Sequence, residues 1–297
     1  MVKVSKGIIA AAGRATRFLP ATKGYPKELV PILQKPNIQY LVEELLGADI
    51  NQIAIVHRHG DNKIKRYFTP DPELEEYLKA NKKEDFLNSL RQIWKKSKIL
   101  KFIPQSPKLP YGNASPILAA KSFIDKDPFV FMYGDDMVVE SRPGTYLKSL
   151  IRVFQKYSVG AVAAASTIPW REIDRYSSIK YQENGLPHQI DGVFEKLPRE
   201  QAPSNVTLFG RFVVSPKVFS VLAKQEISQG ELWFTDTINI LAQNDIVLAP
   251  LISEGQWLTT GDPLRWLKTN IIVGLEDKTI KGDLKTFLKE ASKKLKD

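Results

Sequence analysis

Gly13, Arg17, Lys27 and Glu28 fall within one segment, GIIAAAGRATRFLPATKGYPKELVPI, spanning residues 7–32. An apolar run leads into glycine, threonine, proline and basic residues before apolar sequence resumes. Gly13 frees the backbone to turn, so that successive amides can face an anion. Pro20 and Pro26 stiffen the rest of the loop. Arg17 and Lys27 then bring two cations from one ordered segment, the first able to make a forked contact with a phosphate and the second a point charge. A basic surface loop is the plainer reading. The buried strand directly before it argues instead for an anion site, and the charge suits a polyphosphate.

Other residues carry weaker signals. Asp135 and Asp136 end the run FVFMYGDD. A carboxylate with few rivals at a strand end suits a hard, oxygen-seeking cation that keeps several waters. Asp136 reads equally as an assistant to Asp135 or as a turn residue capping the next loop. Glu195 and Lys196 close GVFEK and, in isolation, read as an ordinary surface pair. His57 and His59 alternate along the end of another strand; without further clustered ligands they read as surface residues rather than a zinc site.

The elements that must position these residues are legible as alternating patterns. Strand candidates are KGIIAAA, QIAIVH, KILKFIP, DPFVFMYGDD, VGAVAAAST, QIDGVFEK and VTLFGRFVVS. Between them lie helical stretches such as NIQYLVEELLGAD, the charged segment 73–96, ASPILAAKSFI and GTYLKSLIRVFQKY. Near-continuous apolar strands alternating with helices predict an α/β fold, a mostly parallel central sheet flanked by helices. Ligands of such sheets sit beyond the carboxyl ends of the strands. The loop after Ala12, the aspartates and the Glu195-Lys196 pair all fall there. No repeat or linker divides the chain. Residues 282–296 place Leu284, Phe287, Leu288, Ala291 and Leu295 on one helical face, which must bury against its own core or against another subunit.

Composition narrows the class. The chain has 297 residues, 43% hydrophobic and 26% charged, which suits a soluble enzyme with one large core or two smaller ones around a cleft. The absence of cysteine excludes disulfides, thiolate metal sites and cysteine nucleophiles. With no cleavable signal pattern and no spanning apolar run, the expected location is the cytoplasm. The sequons at Asn113 and Asn205 read as chance. A net charge of +10 allows nucleic acid, an anionic membrane or a phosphorylated small molecule as partner. Many lysines lie on helical patterns that read as solvated faces, and no basic block is interleaved with stacking aromatics, so neither nucleic acid nor membrane is the expected partner.

The segment AAGRATRFLPATKGYPKELVPI resembles the G-x-G-T-R-x-L-P-x-T-x-x-x-P-K-E signature of sugar-phosphate nucleotidylyltransferases, most closely UTP:glucose-1-phosphate uridylyltransferases of bacterial and archaeal type. The likeness continues through IPQSPKLPYGNASPILAAK, FVFMYGDD, EKLPREQAPSNVTLFGRFVVSP, GELWFTDTINIL and GQWLTTGDPLRWLK, covering about residues 1–275. It implies a single-domain, Rossmann-like nucleotidyltransferase fold. Residues 1–136 would mainly hold the nucleotide, 137–275 the sugar phosphate, and 276–297 a C-terminal helix. The implied reaction joins UTP and glucose 1-phosphate into UDP-glucose, releasing pyrophosphate with Mg²⁺ as cofactor.

By position, the resemblance implies catalytic roles for Arg17, Lys27 and Lys196, nucleotide contacts for Ala12, Gly13, Glu28, Gln105 and Gly112, sugar contacts for Glu195 and Ser177, and a magnesium ligand in Asp135. A homo-oligomer, dimer or tetramer, is expected. Four departures stand out. Ala15 and Ser177 replace glycines, Thr259 stands where a second magnesium-binding aspartate is expected, and PYGNA replaces a G-L-G-H-A loop. They leave open dTTP or another sugar as substrate, and a catalytically weak paralogue that binds sugar nucleotides as a partner or regulator.

Overall fold

A computed structural model describes residues 2–294. Seven strands form the central sheet: β1 (Lys6–Ala11), β2 (Gln52–Arg58), β3 (Leu100–Gln105), β4 (Phe129–Tyr133), β5 (Ala161–Thr167), β6 (Val206–Val214) and β7 (Val247–Leu248). Their order is β7-β5-β6-β4-β1-β2-β3, with only β6 antiparallel to its neighbours. The chain runs outward from β1 through β2 to β3, then returns to place β4 on the other side of β1. That reversal opens a crevice at the carboxyl ends of β1 and β4.

Both faces of the sheet are covered, as the apolar runs require. On one face helix α1 (Asn37–Gly47) directs Ile38, Leu41, Val42 and Leu45, spaced at helical intervals, onto Ile9, Ile53 and Ile55. On the other, Ile117 and Ile124 join Phe234, Ile238 and Leu241 of helix α2 (Phe234–Asn244) over Ile8, Val56 and Phe131. No helix of the described residues is long and apolar enough to cross a membrane.

The expected elements form, with three differences. The charged segment 73–96 is two helices, Pro72–Ala80 and Glu84–Lys96, separated where Lys82 takes a positive φ of 53°. The QIDGVFEK segment forms a strand, Ile190–Glu195, outside the central sheet, in an antiparallel ladder with Ser177–Tyr181. Another ladder joins Asp136–Val139 to Gln256–Thr259 and sets Thr259 opposite Asp136. Helix α3 (Pro263–Glu276) follows, and then helix α4 (Lys281–Lys294). Leu284 packs where a side chain on Gly274 would stand, Leu288 and Ala291 are half-buried, and Phe287 is 62% exposed. Leu295 lies outside the described residues.

One buried ion pair ties these layers together beneath the crevice. The register of β6 slips between Phe209 and Phe212, and the bulge turns Arg211 into the core with no exposed surface. Its guanidinium grips Glu44 of α1 through two bonds of 2.7 Å and donates to the carbonyls of Gly210 (2.8 Å) and Asp136 (3.1 Å). Removing one partner strands a charge in low dielectric. Glu44→Ala is therefore expected to destabilise the protein by about 3–5 kcal/mol in urea denaturation. The double replacement Glu44→Leu/Arg211→Met should cost less than this single change; a single-variant cost below about 1 kcal/mol would contradict the picture.

Candidate active site

The crevice is a cleft of about 780 Å³ over the ends of β1, β2, β3 and β4. Ala12, Gly13, Arg17, Lys27, Glu28, Gln105, Gly112 and Asp135 all line it. Chemistry-bearing residues from three distant parts of the chain, 12–28, 105–112 and 135, thus share one cleft. Ser177, Glu195 and Lys196 lie outside the lining, on the neighbouring ladder beyond Tyr133, whose hydroxyl is raised well above its ordinary range by burial and by the Glu195 and Asp136 charges.

The loop after β1 is built as short turns. Ala15 takes a left-handed φ of 52°, a conformation glycine adopts at less cost, and Thr22 holds its carbonyl through a 2.8 Å bond. Three one-turn helices, Thr16–Phe18, Ala21–Lys23 and Lys27–Leu29, then carry Arg17 to the exposed rim and fold Lys27 inward. Gly13 has no positive φ. A side chain there would meet only Lys27, at ordinary contact distance, so its smallness serves the open cleft rather than internal packing.

Lys27 and Asp135 are the centre of the site. Lys27 Nζ donates to Asp135 Oδ2 at 2.6 Å. Burial alone would lower the ammonium and raise the carboxyl. Burial is the largest single influence on each, but the mutual charge, the hydrogen bond and neighbouring groups together outweigh it, so Lys27 is raised and Asp135 is lowered. Asp136 is held differently: burial and the Asp135 charge push it up to about 6, and its Oδ2 accepts from the Gly210 amide at 2.8 Å. A side chain on Gly210 would stand 2.5 Å from Tyr133 Cβ, so this contact requires glycine. Asp136 thus organises the bulge and faces the core.

Several polar groups at the cleft lack partners. Both carboxylate oxygens of Glu28 are buried without a hydrogen bond, as is Gln105 Oε1. Burial pushes the Glu28 carboxyl up to about 7 against the pull of Lys27. Gly112, at φ 139°, lets its loop press on the chain at Leu232, where a side chain would come within 2.4 Å of backbone atoms. Asn113 accepts from the Phe234 amide at 2.7 Å and donates to the Tyr133 hydroxyl at 3.2 Å, locking that loop to α2.

The ladder places the remaining residues. Ser177 is buried, and its hydroxyl is engaged with Thr207 Oγ1 (3.0 Å) and the Leu208 amide (3.2 Å). Glu195 accepts from the Thr235 hydroxyl, and Lys196, at φ 48°, lays its ammonium 5.4 Å from the centre of the Trp233 ring. Thr259 stands beside Asp135: a side chain on Gly261 would lie 3.0 Å from Asp135 Oδ2 and 3.5 Å from Thr259 Oγ1. Asp262 is otherwise occupied, capping α3 through the Arg265 amide (3.0 Å) and pairing with the Arg265 guanidinium. Among the described residues no three His, Cys, Asp or Glu side chains gather as a metal cage.

Sequence comparison agrees with this geometry. The Nucleotidyl transferase family profile matches residues 6–273. This chain belongs to that family. It is 35% identical to a UTP–glucose-1-phosphate uridylyltransferase of Bacillus subtilis, with 97% of each chain covered. Among solved structures it resembles a UDP-glucose pyrophosphorylase from Acinetobacter baumannii, with a TM-score of 0.87 and 30% identity over 97% of this chain and 100% of that one. A UTP-bound UGPase from the same organism gives 0.85 and 29%, covering 97% and 99%.

The sequence did not single out Arg14 or Arg58, and it read Asn113 as part of a chance sequon and His59 as a surface residue; all four line the cleft of this nucleotidyl transferase. Only the two unusual basic positions around Gly13 and the strand end VHRH carried any signal. The Glu28 carboxyl gives a testable consequence. Its folded value, about 7, exceeds its ordinary 4.5, so its protonated form favours the fold. That contribution is full below about 4.5 and is lost as pH rises through 7. Glu28→Gln should therefore raise stability by about 1–3 kcal/mol at pH 8 and give little or no gain at pH 4.5. Thermal unfolding at the two pH values checks this; an equal shift at both would refute it.

Proposed function

We propose that this protein transfers a uridylyl group from UTP to glucose 1-phosphate, forming UDP-glucose and pyrophosphate. The observation that carries the reading is the Lys27–Asp135 contact of 2.6 Å at the crevice between β1 and β4, with Arg17 at the same end of the cleft. It sets a cation where phosphate charge must be met, and the near full-length likeness to uridylyltransferases supports the substrate pair.

In this reaction an oxygen of the sugar phosphate attacks the α-phosphorus of UTP. The bond from that phosphorus to the bridging oxygen breaks, and pyrophosphate leaves with the electron pair. Little covalent help is needed from the protein; alignment and charge neutralisation do the work. Lys27 meets the α-phosphate, where negative charge grows in the transition state, and Arg17 meets the leaving pyrophosphate. Gln105 offers its unpartnered Oε1 to the base, with backbone from Ala12, Gly13 and Gly112 beside it. Glu28 offers unpartnered acceptors to the nucleotide. Across the ladder Glu195 accepts from sugar hydroxyls and Lys196 pairs with the sugar phosphate. The hydroxyl of Ser177 is engaged internally, which leaves its backbone for the sugar.

Residues 1–136 form the nucleotide half of this arrangement and 137–275 the sugar half. In this reading the enzyme works in the cytoplasm; its assembly as a homo-oligomer is supported by the exposed Leu264, Leu267, Ile280 and Phe287 on α3, α4 and the turn between them.

The gap that Gly261 keeps open borders Asp135 Oδ2 and Thr259 Oγ1, with Arg17 Nη1 also near it, and offers one carboxylate to Mg²⁺, which is commonly held by one or two carboxylates plus substrate phosphates. Asp135 is the residue that would hold it. When bound, the ion supplies neutralisation of phosphate charge. The charge-assisted bond from Lys27 must then pass from Asp135 to phosphate.

A pyrophosphate-release screen of nucleoside triphosphates against sugar 1-phosphates with Mg²⁺ tests the reaction. Release is expected with UTP and glucose 1-phosphate, falling by ~10²-fold or more in Lys27→Ala; release confined to another pair would overturn the substrates, and silence with every pair the reaction.

The metal reading has its own test. With a neutral hydroxyl at Thr259, half-maximal rate should require high Mg²⁺, and Thr259→Asp should lower that concentration because it adds a charged oxygen ligand. Asp262→Ala should leave the titration in place, since Asp262 serves the α3 cap. The reverse pattern would make Asp262 the ligand.

A further inference from the structure

Arg58 lines the cleft but has no part in the transfer steps. It ends β2 and pairs in register with Gln105 at the end of β3, just as Val56 pairs with Ile103 two residues earlier. Register partners in a parallel ladder project from the same face of the sheet. Val56 and Ile103 belong to the apolar layer that also holds Ile8. Arg58 and Gln105 therefore continue that layer past the sheet edge, where core gives way to cleft, and both line it.

The two side chains are complementary in kind. Gln105 Oε1 is a buried acceptor without a partner. The Arg58 guanidinium is anchored by a single bond, 2.9 Å from Nη2 to Asp61 Oδ2, and Asp61 is itself buried and fixed by the Lys63 amide at 3.0 Å. Its other N–H groups make no hydrogen bond among the described residues. Arg17 and Asp135 meet at Gly261, where a side chain would stand 3.7 Å from Arg17 Nη1 and 3.0 Å from Asp135 Oδ2. Arg58 stands between the strand-end neighbour Gln105 and the Gly13–Ala15 segment, the groups read above as facing the base.

Resting on the uridylyl reading, we infer that Arg58 is a specificity-determining residue that reads the base beside Gln105. Together they present a donor and an acceptor side by side. Uracil offers the N3–H donor flanked by carbonyl acceptors, which this pair satisfies. Cytosine carries an N4 amino donor where uracil carries the O4 acceptor, so the Arg58 guanidinium, which has donors only, would face another donor, whereas the Gln105 amide can present either of its ends. A site built to hydrogen-bond one pattern rejects the other because its buried polar groups are then left unpaired.

Calorimetric titration with UMP and CMP tests this, since neither carries the phosphates that Arg17 serves. The wild-type protein should bind UMP more tightly than CMP. Arg58→Met keeps the aliphatic stem but removes the donors; it should weaken UMP about tenfold while CMP stays within about twofold. Arg58→Lys keeps one donor group and the Asp61 pair, and should fall between. Arg58 is half-exposed on the rim, and unchanged circular dichroism will show that folding is retained. Equal weakening of UMP and CMP, or weaker UTP binding with UMP unchanged, overturns the inference by assigning Arg58 to general attraction or to phosphate. A wild-type protein that does not prefer UMP would instead overturn the uridylyl reading itself.

Discussion

Three carboxylates, Glu28, Asp135 and Asp136, meet in largely buried surroundings at the ends of β1 and β4, and the site depends on how their charge is held. Lys27 lies among them from above, its ammonium stabilised by all three. Arg211 lies below, pulling Asp136 down while gripping Glu44. Arg211 is already committed to Glu44, which leaves Lys27 as the one cation bonded directly to any of the three acids, too little to keep all three fully ionised. The protein resolves the shortage unequally: Asp135 takes the direct ion pair, and Glu28 and Asp136 are pushed up towards neutrality.

That unequal division separates roles among residues of the same type. Asp135 stays charged and reaches the cleft, so it can serve a cation or exchange Lys27 for another partner. Asp136 is turned inward and organises backbone through Gly210 and the Arg211 bulge. The strand that Asp136 begins then pairs with Gln256–Thr259, which brings Thr259 and Gly261 to the site. Thr260 completes the turn, its amide bonding the Asp135 carbonyl at 2.7 Å.

The same bulge links the two halves of the cleft. Arg211 connects α1, on the side proposed for the nucleotide, to β6, whose other edge pairs with β5 and whose Leu208 amide donates to Ser177 of the ladder. Displacement of the ladder would therefore be felt at Asp136. On the opposite side, Asn113 and Gly112 tie their loop, proposed to face the base, to the chain at Leu232 and α2, and α2 carries Thr235 to Glu195. Two independent tethers thus join the halves, one beneath the sheet edge and one across the rim. A reaction that requires two polyanions to be aligned has use for such rigidity.

The alternation of strands and helices, the loop from Gly13 to Lys27 and the placement of Asp135 at a strand end were all legible along the chain. These are local: apolar periodicity, glycine and proline chemistry, and charges close along the chain. The sequence also carried enough pattern to reveal the family, and with it Gln105 and Gly112. Only the tertiary structure decided which residues share a charge. The partner of Arg211 is 167 positions away, that of Lys27 is 108, and the ladder that sets Thr259 beside Asp135 spans 124. Such pairings depend on strand order and on a bulge with no sequence signature beyond a glycine. For the same reason Ser177 could be aligned with a sugar site while its hydroxyl turned inward to Thr207, and VHRH could read as surface while β2 placed Arg58 beside Gln105. Side-chain direction at a strand end is set by register with the neighbouring strand, and register is a property of the folded sheet.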